Sequence, residues 1–280
     1  MNASAATQRI DRTTLFAVPL TAYLAFAFVV PLVLLLLNSF RSEAGFTIGA
    51  YASFLSDAYN LKVVWNSLKL GLLCTIVCLL VGYPAAIALA RAGPLMQTLV
   101  LAAMFLPLSV SVIVKAFGWT ILLRDNGLVN LALQALGLTD APVRFIFTET
   151  GLLIGISNIF LPFMVLPIYT VVGQIDPRLF DAAATLGANA VQRFLNVLVP
   201  LSLPGVIAGV ALVFSLAVSA YVIPTLLIGD RHQLLSTQMA KYFLFLRNEQ
   251  FGSVTAVILL AIAIVIVVAS AALARRFRAS

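Results

Sequence analysis

Apolar residues in this chain form long uninterrupted runs, with polar residues gathered in short segments between them. A helix with one wet face would instead alternate the two classes every three or four positions. Six runs are long enough to cross a hydrocarbon layer ~30 Å thick, which takes about 20 helical residues: Leu15 to Leu37, Val63 to Ala90, Thr98 to Leu123, Gly151 to Gly173, Leu203 to Ile228 and Val254 to Leu273. None contains Asp or Glu. The pattern predicts an all-α polytopic membrane protein, a single domain over residues 1–280 with six transmembrane helices. Arg9 and Arg12 precede the first run as they would in a secretory leader. That run is longer than a leader's apolar core and no small-residue cleavage site follows it, so it reads as a retained anchor.

Composition removes the soluble alternative. Of 280 residues 62% are hydrophobic and 10% charged, where a soluble domain has about 45–50% and about 25%. The 17 basic and 10 acidic residues leave a charge of +7. In a soluble chain that excess would suggest nucleic acid, yet Arg275, Arg276 and Arg278 directly follow the last apolar run and read as an anchor at an anionic membrane face. The other basic residues are dispersed without aromatic interleaving, which excludes nucleic acid as a partner. An even number of spans puts both termini on one side, and the terminal arginines make that side cytoplasmic. The loops are nearly balanced in basic residues, so the orientation rests on the termini. Cys74 and Cys78, four apart in one run, share one side of a helix and exclude a disulfide scaffold.

The connections are unequal. Residues 91–97 form a short turn, whereas 174–202 on the same cytoplasmic side is long enough to build something. On the opposite side Asn126 to Leu138 has helical apolar spacing and predicts a short surface helix. Within 174–202, Asp176 before Pro177 predicts a helix start, with Leu179, Phe180, Ala183 and Leu186 on one apolar side. Gly187 interrupts that helix, and Asn189 with Gln192 has the spacing of a capping box opening a second one. A turned helix pair with exposed apolar groups fits a docking element, or else an interfacial helix resting on lipid.

The residues of this pair carry a resemblance. Permeases of binding-protein-dependent ABC importers have a cytoplasmic signature of Glu-Ala-Ala, three residues, Gly, nine residues, then Ile-x-Leu-Pro. Here Asp181, Ala182 and Ala183 are followed by Gly187 and then by Val197, Leu198, Val199 and Pro200 at the same offsets, with Asp for Glu and Val for Ile and Leu. The six-run layout and the text SLAVSAYVIPTLLIG resemble the spermidine and putrescine permease group. The resemblance implies a type I ABC importer transmembrane domain in the inner membrane, with Asp181, Ala182, Ala183, Gly187 and Pro200 in the segment that couples to a cytoplasmic ABC ATPase dimer. It further implies a second permease subunit, a heterodimer being preferred, and an extracytoplasmic solute-binding protein. ATP and Mg would be bound by the ATPase: Walker A needs Lys followed by Ser or Thr, and Lys62, Lys69, Lys115 and Lys241 are not.

Polar residues within the runs are candidates for a solute path. Lys69 and Lys115 are the only ionisable ones, and each either faces the path or snorkels to the outer headgroups; counted from Gln97, Lys115 stands ~27 Å up its helix. Ser157 and Asn158 precede Pro162 and Pro167, prolines that favour a kink and free carbonyls. Ser215, Ser219 and Tyr221 lie in the outer part of the fifth run, and Pro107, Ser109 and Ser111 mark the third. Small residues equally mark helix contacts: Gly151 with Gly155 and Gly205 with Gly209 are GxxxG pairs. No catalytic constellation is found. The lone His232 has no metal-ligand partner at suitable spacing, and neither GxSxG nor HExxH occurs. An ion-coupled secondary transporter is the alternative function, weakened by the absence of acids and inverted halves in the runs. The resemblance implies a polyamine-like or other small nitrogenous solute, while the two lysines leave room for an anionic or zwitterionic one such as an opine or an aminophosphonate.

Overall fold

The computed structural model describes residues 12–42, 45–229 and 232–278, so Arg9 and Arg231 lie outside it. A long helix, α1 (Arg12–Phe40), leads into a two-stranded antiparallel hairpin, β1 (Arg41–Ser42) and β2 (Gly45–Phe46), in which Arg41 pairs with Phe46. A short α2 (Gly49–Ser56) precedes α3 (Ala58–Arg91), whose first turn is capped by the Asp57 carboxylate accepting from Tyr59 N–H at 2.9 Å. Then follow α4 (Pro94–Ser109), α5 (Val112–Leu122) and the short α6 (Leu128–Ala135) inside the stretch where a surface helix is expected. The fourth run is α7 (Glu149–Val172), capped by Thr148, whose hydroxyl accepts from Gly151 N–H at 3.2 Å. Helices α8 (Arg178–Thr185) and α9 (Ala190–Arg193) make up the turned pair, and a π-helical turn, Phe194–Leu198, joins α9 to α10 (Val199–Ser219). The chain closes with α11 (Val222–Leu227), α12 (Leu235–Leu244) and α13 (Glu249–Arg278).

Among the described residues five helices are long and apolar enough to cross a membrane, or six if α4 and α5, bent by 103° where they meet, count as one span. The third run is therefore not the straight span over 98–123 that its composition predicts. Pro107 withholds an N–H from the last turn of α4, Val110 is extended, and Ser111 restarts the chain by accepting the Ile113 N–H at 3.3 Å. The fifth run is divided too. Ala220 is extended, so α10 stops at Ser219 and the rest of the run becomes α11.

Helices α3, α7 and α10 form the centre. Their buried faces meet through Leu70, Cys74 and Cys78 of α3, Ile156, Met164 and Ile168 of α7, and Val213 and Ala217 of α10. Close approach of α7 and α10 depends on absent side chains: a Cβ on Gly205 would come within 2.7 Å of the Pro167 carbonyl oxygen, and one on Gly209 within 2.8 Å of Met164 Sδ. The GxxxG pair is thus a packing device. A second cluster, of Ala50, Phe54, Val63, Leu235 and Val254, ties α2 and α12 to α3 and α13. In contrast α4 has no fully buried residue and only rests Val100, Leu101 and Met104 against the core, and α1 turns Tyr23, Phe26 and Phe28 outward, surfaces suited to lipid or to another apolar subunit.

Candidate functional site

The α8 segment is built by three local devices. Asp176 Oδ1 accepts from Arg178 N–H at 2.9 Å and starts the helix. At its other end Ala188 N–H donates to Ala183 O at 3.0 Å and Gly187 N–H to Ala184 O at 2.9 Å, with Gly187 at φ +85°. This Schellman turn requires a left-handed residue. The capping box then opens α9: Asn189 Oδ1 accepts from Gln192 N–H at 2.8 Å and Gln192 Oε1 from Asn189 N–H at 2.9 Å. Pro200 accounts for the π turn, since it donates no N–H and Val199 reaches back five residues to the Phe194 carbonyl.

The apolar side of α8 divides. Phe180 and Ala183 are half-buried towards the bundle, whereas Asp181, Ala182 and Leu179 are exposed and Leu186 is 88% exposed. A cleft of about 630 Å³ lies behind the helix, bounded by Ala90 and Arg91 at the end of α3, Val172 at the end of α7, Phe180, Asp181 and Arg193. The Arg91 guanidinium sits over the Phe180 ring, 5.7 Å from its centroid.

The expected path residues are treated unequally. Asn158 is exposed at the middle of α7, while Gly155, Ile156, Ser157, Ile159 and Phe160 around it are buried. Pro162 has no N–H for the Asn158 carbonyl, so this position presents a side-chain amide beside a backbone oxygen lacking its usual helical donor. Ser157 belongs to the core instead: its hydroxyl lies 3.6 Å from Cys74 Sγ, and its carbonyl accepts from Cys78 Sγ at 3.4 Å. Ser215 is half-buried with a hydroxyl that meets no partner among the described residues. Ser219 is exposed and spends its hydroxyl on the Ser215 carbonyl at 2.8 Å. Tyr221, at the break between α10 and α11, lines a cavity of about 340 Å³ with Thr225, Thr237 and Lys241. Asn158, Ser215, Ser219 and Lys115 do not line that cavity, and Lys115 is half-buried on α5.

Lys69 does not snorkel alone. Its ammonium donates to Glu149 Oε2 at 2.6 Å, and His232 Nε2 stands 3.4 Å from the other carboxylate oxygen. The three residues, with Asn66 and Thr150, line a small cavity of about 120 Å³. A sequence signal existed, for Glu149 is the acid that opens α7 where a helix N-terminus favours it. Helix α12, which no apolar run announced, is fastened to α3 by two bonds, Leu235 N–H to Ser67 Oγ at 2.8 Å and Gln238 Nε2 to Asn60 Oδ1 at 2.6 Å, and the segment before it by a third, Asn66 Nδ2 to Gln233 O at 3.3 Å.

The family described as binding-protein-dependent transport system inner membrane component matches residues 79–279. The chain belongs to this family. Among similar proteins, the spermidine/putrescine transport system permease protein PotB of Haemophilus influenzae is 35% identical over 242 residues, covering 84% of this chain and 85% of that one. PotB of Escherichia coli K12 is 34% identical over 214 residues, covering 76% and 78%. PotC of the same organism, also a spermidine/putrescine permease protein, is 25% identical over 262 residues, covering 91% and 92%. The fold is shared with a crystal structure of a bacterial alginate ABC transporter in complex with an alginate pentasaccharide-bound periplasmic protein, at TM-score 0.76 and 18% identity over 94% of each chain. This ABC importer permease is accordingly a multi-pass inner-membrane protein with a type I transmembrane fold. Membership of the family removes the ion-coupled alternative.

Proposed function

We propose that this chain forms one half of the translocation pore of an ATP-driven importer for a polyamine-like or other small nitrogenous solute. The observation that carries the reading is the folded signature: Asp181, Ala182 and Ala183 on an exposed helix, Gly187 in the left-handed turn and Pro200 beyond the π turn. The α8 end is cytoplasmic in this reading, with both termini, and Arg275, Arg276 and Arg278 follow α13 on that side. A separate ABC ATPase dimer receives α8 and holds ATP with Mg. A second permease chain faces this one across the path. PotB and PotC carry two names for one solute class, which favours a heterodimer. An extracytoplasmic binding protein delivers solute to the α12 end.

ATP binding draws the ATPase subunits together, carries the α8 helices with them and switches the spans between inward-facing and outward-facing states. Asn158, Ser215, Ser219 and Tyr221 offer a neutral path with one aromatic face. A cationic solute meets no carboxylate among them, so its charge is balanced by the Tyr221 ring or by groups of the partner subunit. Uptake of radiolabelled spermidine and putrescine into cells expressing the full set of subunits tests the reading. ATP-dependent accumulation supports it, and export, or uptake independent of the ATPase, contradicts it.

A further inference from the structure

We infer that the contact between Arg91 and Phe180 is the non-covalent link through which α8 drives α3, an inference that rests on the coupling role proposed for α8. Helix α8 is joined to the spans by two short connections, one through Gly173 and Pro177 and one through the Gly187 turn. The second connection leads through α9 and the π turn directly into α10, so α10 is pulled covalently. Nothing in the chain path ties α8 to α3. The cleft of about 630 Å³ separates the two, and the guanidinium over the ring at 5.7 Å spans it.

The chemistry suits a moving contact. A cation is attracted over the whole face of an aromatic ring, so the pair stays engaged through small lateral shifts that would break a single hydrogen bond. Arg91 is the last residue of α3, and Leu89 and Ala86 just before it are buried, which fixes that end of the helix in the core. From there α3 runs as one 34-residue helix to the opposite end, where Asn60 and Ser67 hold α12 and Lys69 holds Glu149. A displacement of Phe180 is thus delivered to the end where solute enters, in step with α10. Arg91 and Phe180 are positioning residues; neither touches solute in this scheme.

The test uses the full chain purified with its partner subunits. A reporter cysteine, Asn158→Cys, is present in every sample and is labelled by a hydrophilic maleimide with and without ATP, Mg and vanadate; Cys74 and Cys78 are buried. Arg91→Gln and Phe180→Leu are expected to cut the nucleotide-dependent change in labelling rate by about two- to fivefold, the span of a contact of this class at an exposed arginine, while Phe180→Tyr keeps it and the ATPase stays bound in all. An unchanged response in Arg91→Gln and Phe180→Leu overturns the inference. So does an equal loss in Phe180→Tyr, which would make the role one of packing, or loss of the ATPase from the variants, which would make it one of docking. A wild-type complex with bound ATPase and no nucleotide response removes the motion itself. A wild-type chain that purifies with no ATPase overturns the coupling reading first.

Discussion

The Lys69 ammonium donates to the Glu149 carboxylate at 2.6 Å, joining α3 to the first turn of α7 across 80 positions of sequence. The side chains are 41% and 44% exposed, so the pair is worth less than its short distance suggests; about 1 kcal/mol is an upper bound for such a site. Lys69→Met and Glu149→Gln are expected to lower thermal stability slightly, and the double variant to be no worse than Glu149→Gln, which also gives up the His232 contact and the favourable place at the start of α7. A double-mutant cycle at low and high salt measures this. A coupling several times larger, or one insensitive to salt, would show the pair to be shielded from water.

Gly187→Val places a β-branched residue at φ +85°. The left-handed conformation costs a non-glycine residue about 1–2 kcal/mol, and more with a branch at Cβ. No neighbour lies within 4 Å of a Cβ there, so the penalty is purely one of backbone. Membrane insertion should be normal and uptake lost, with Gly187→Asn retaining more. Equal uptake in Gly187→Val and wild type would contradict the turn's coupling role.

Gly205→Ala pushes a methyl group against the backbone of α7, because the nearest atom is the Pro167 carbonyl oxygen at 2.7 Å. Backbone cannot swing aside as a flexible side chain does, and overpacking of this kind costs about 1–3 kcal/mol. Gly93→Ala, which meets nothing within 4 Å, is the control. Size-exclusion profiles after mild heating should show the first variant losing folded protein at a lower temperature than the second.

Asn158 and Ser157 are neighbours with opposite surroundings, exposed and buried. Asn158→Leu should leave the folded yield intact and lower uptake by about tenfold, the effect of one lost hydrogen bond to the solute. Ser157→Leu should instead reduce the folded yield, since it overpacks the contact with Cys74 and Cys78. The reverse pattern would place Ser157 on the path.

The crossings were legible because run length alone decides whether a helix can span a bilayer, and the turned pair because Asp176, Gly187, Asn189 and Gln192 are each local signals. What escaped was non-local. The break at Val110 falls inside a run whose composition is apolar throughout, so hydropathy passes over it. Helix α12 mixes polar and apolar residues because it packs on α13, as Tyr242 does on Phe251, while Leu235 N–H and Gln238 bond to α3, and no long run marks it. Glu149 was visible as an acid before an apolar run, but its pairing with Lys69 depends on how α3 and α7 lie together. Ser157 and Asn158 differ only in the face of α7 they occupy, and nothing in their own residue types says which face looks inward.

The central claim is that α8 and its glycine turn seat this chain on a separate ATPase. The direct measurement is purification of the tagged chain from detergent-solubilised membranes, assayed for copurifying subunits and ATP hydrolysis, in the wild type and in a variant carrying Asp181→Ala and Gly187→Val. An ATPase that copurifies with the wild type and is lost from the inserted, folded variant is the predicted result. A wild-type chain that purifies without any nucleotide-binding subunit, or a variant that holds the ATPase as firmly as the wild type, would contradict it.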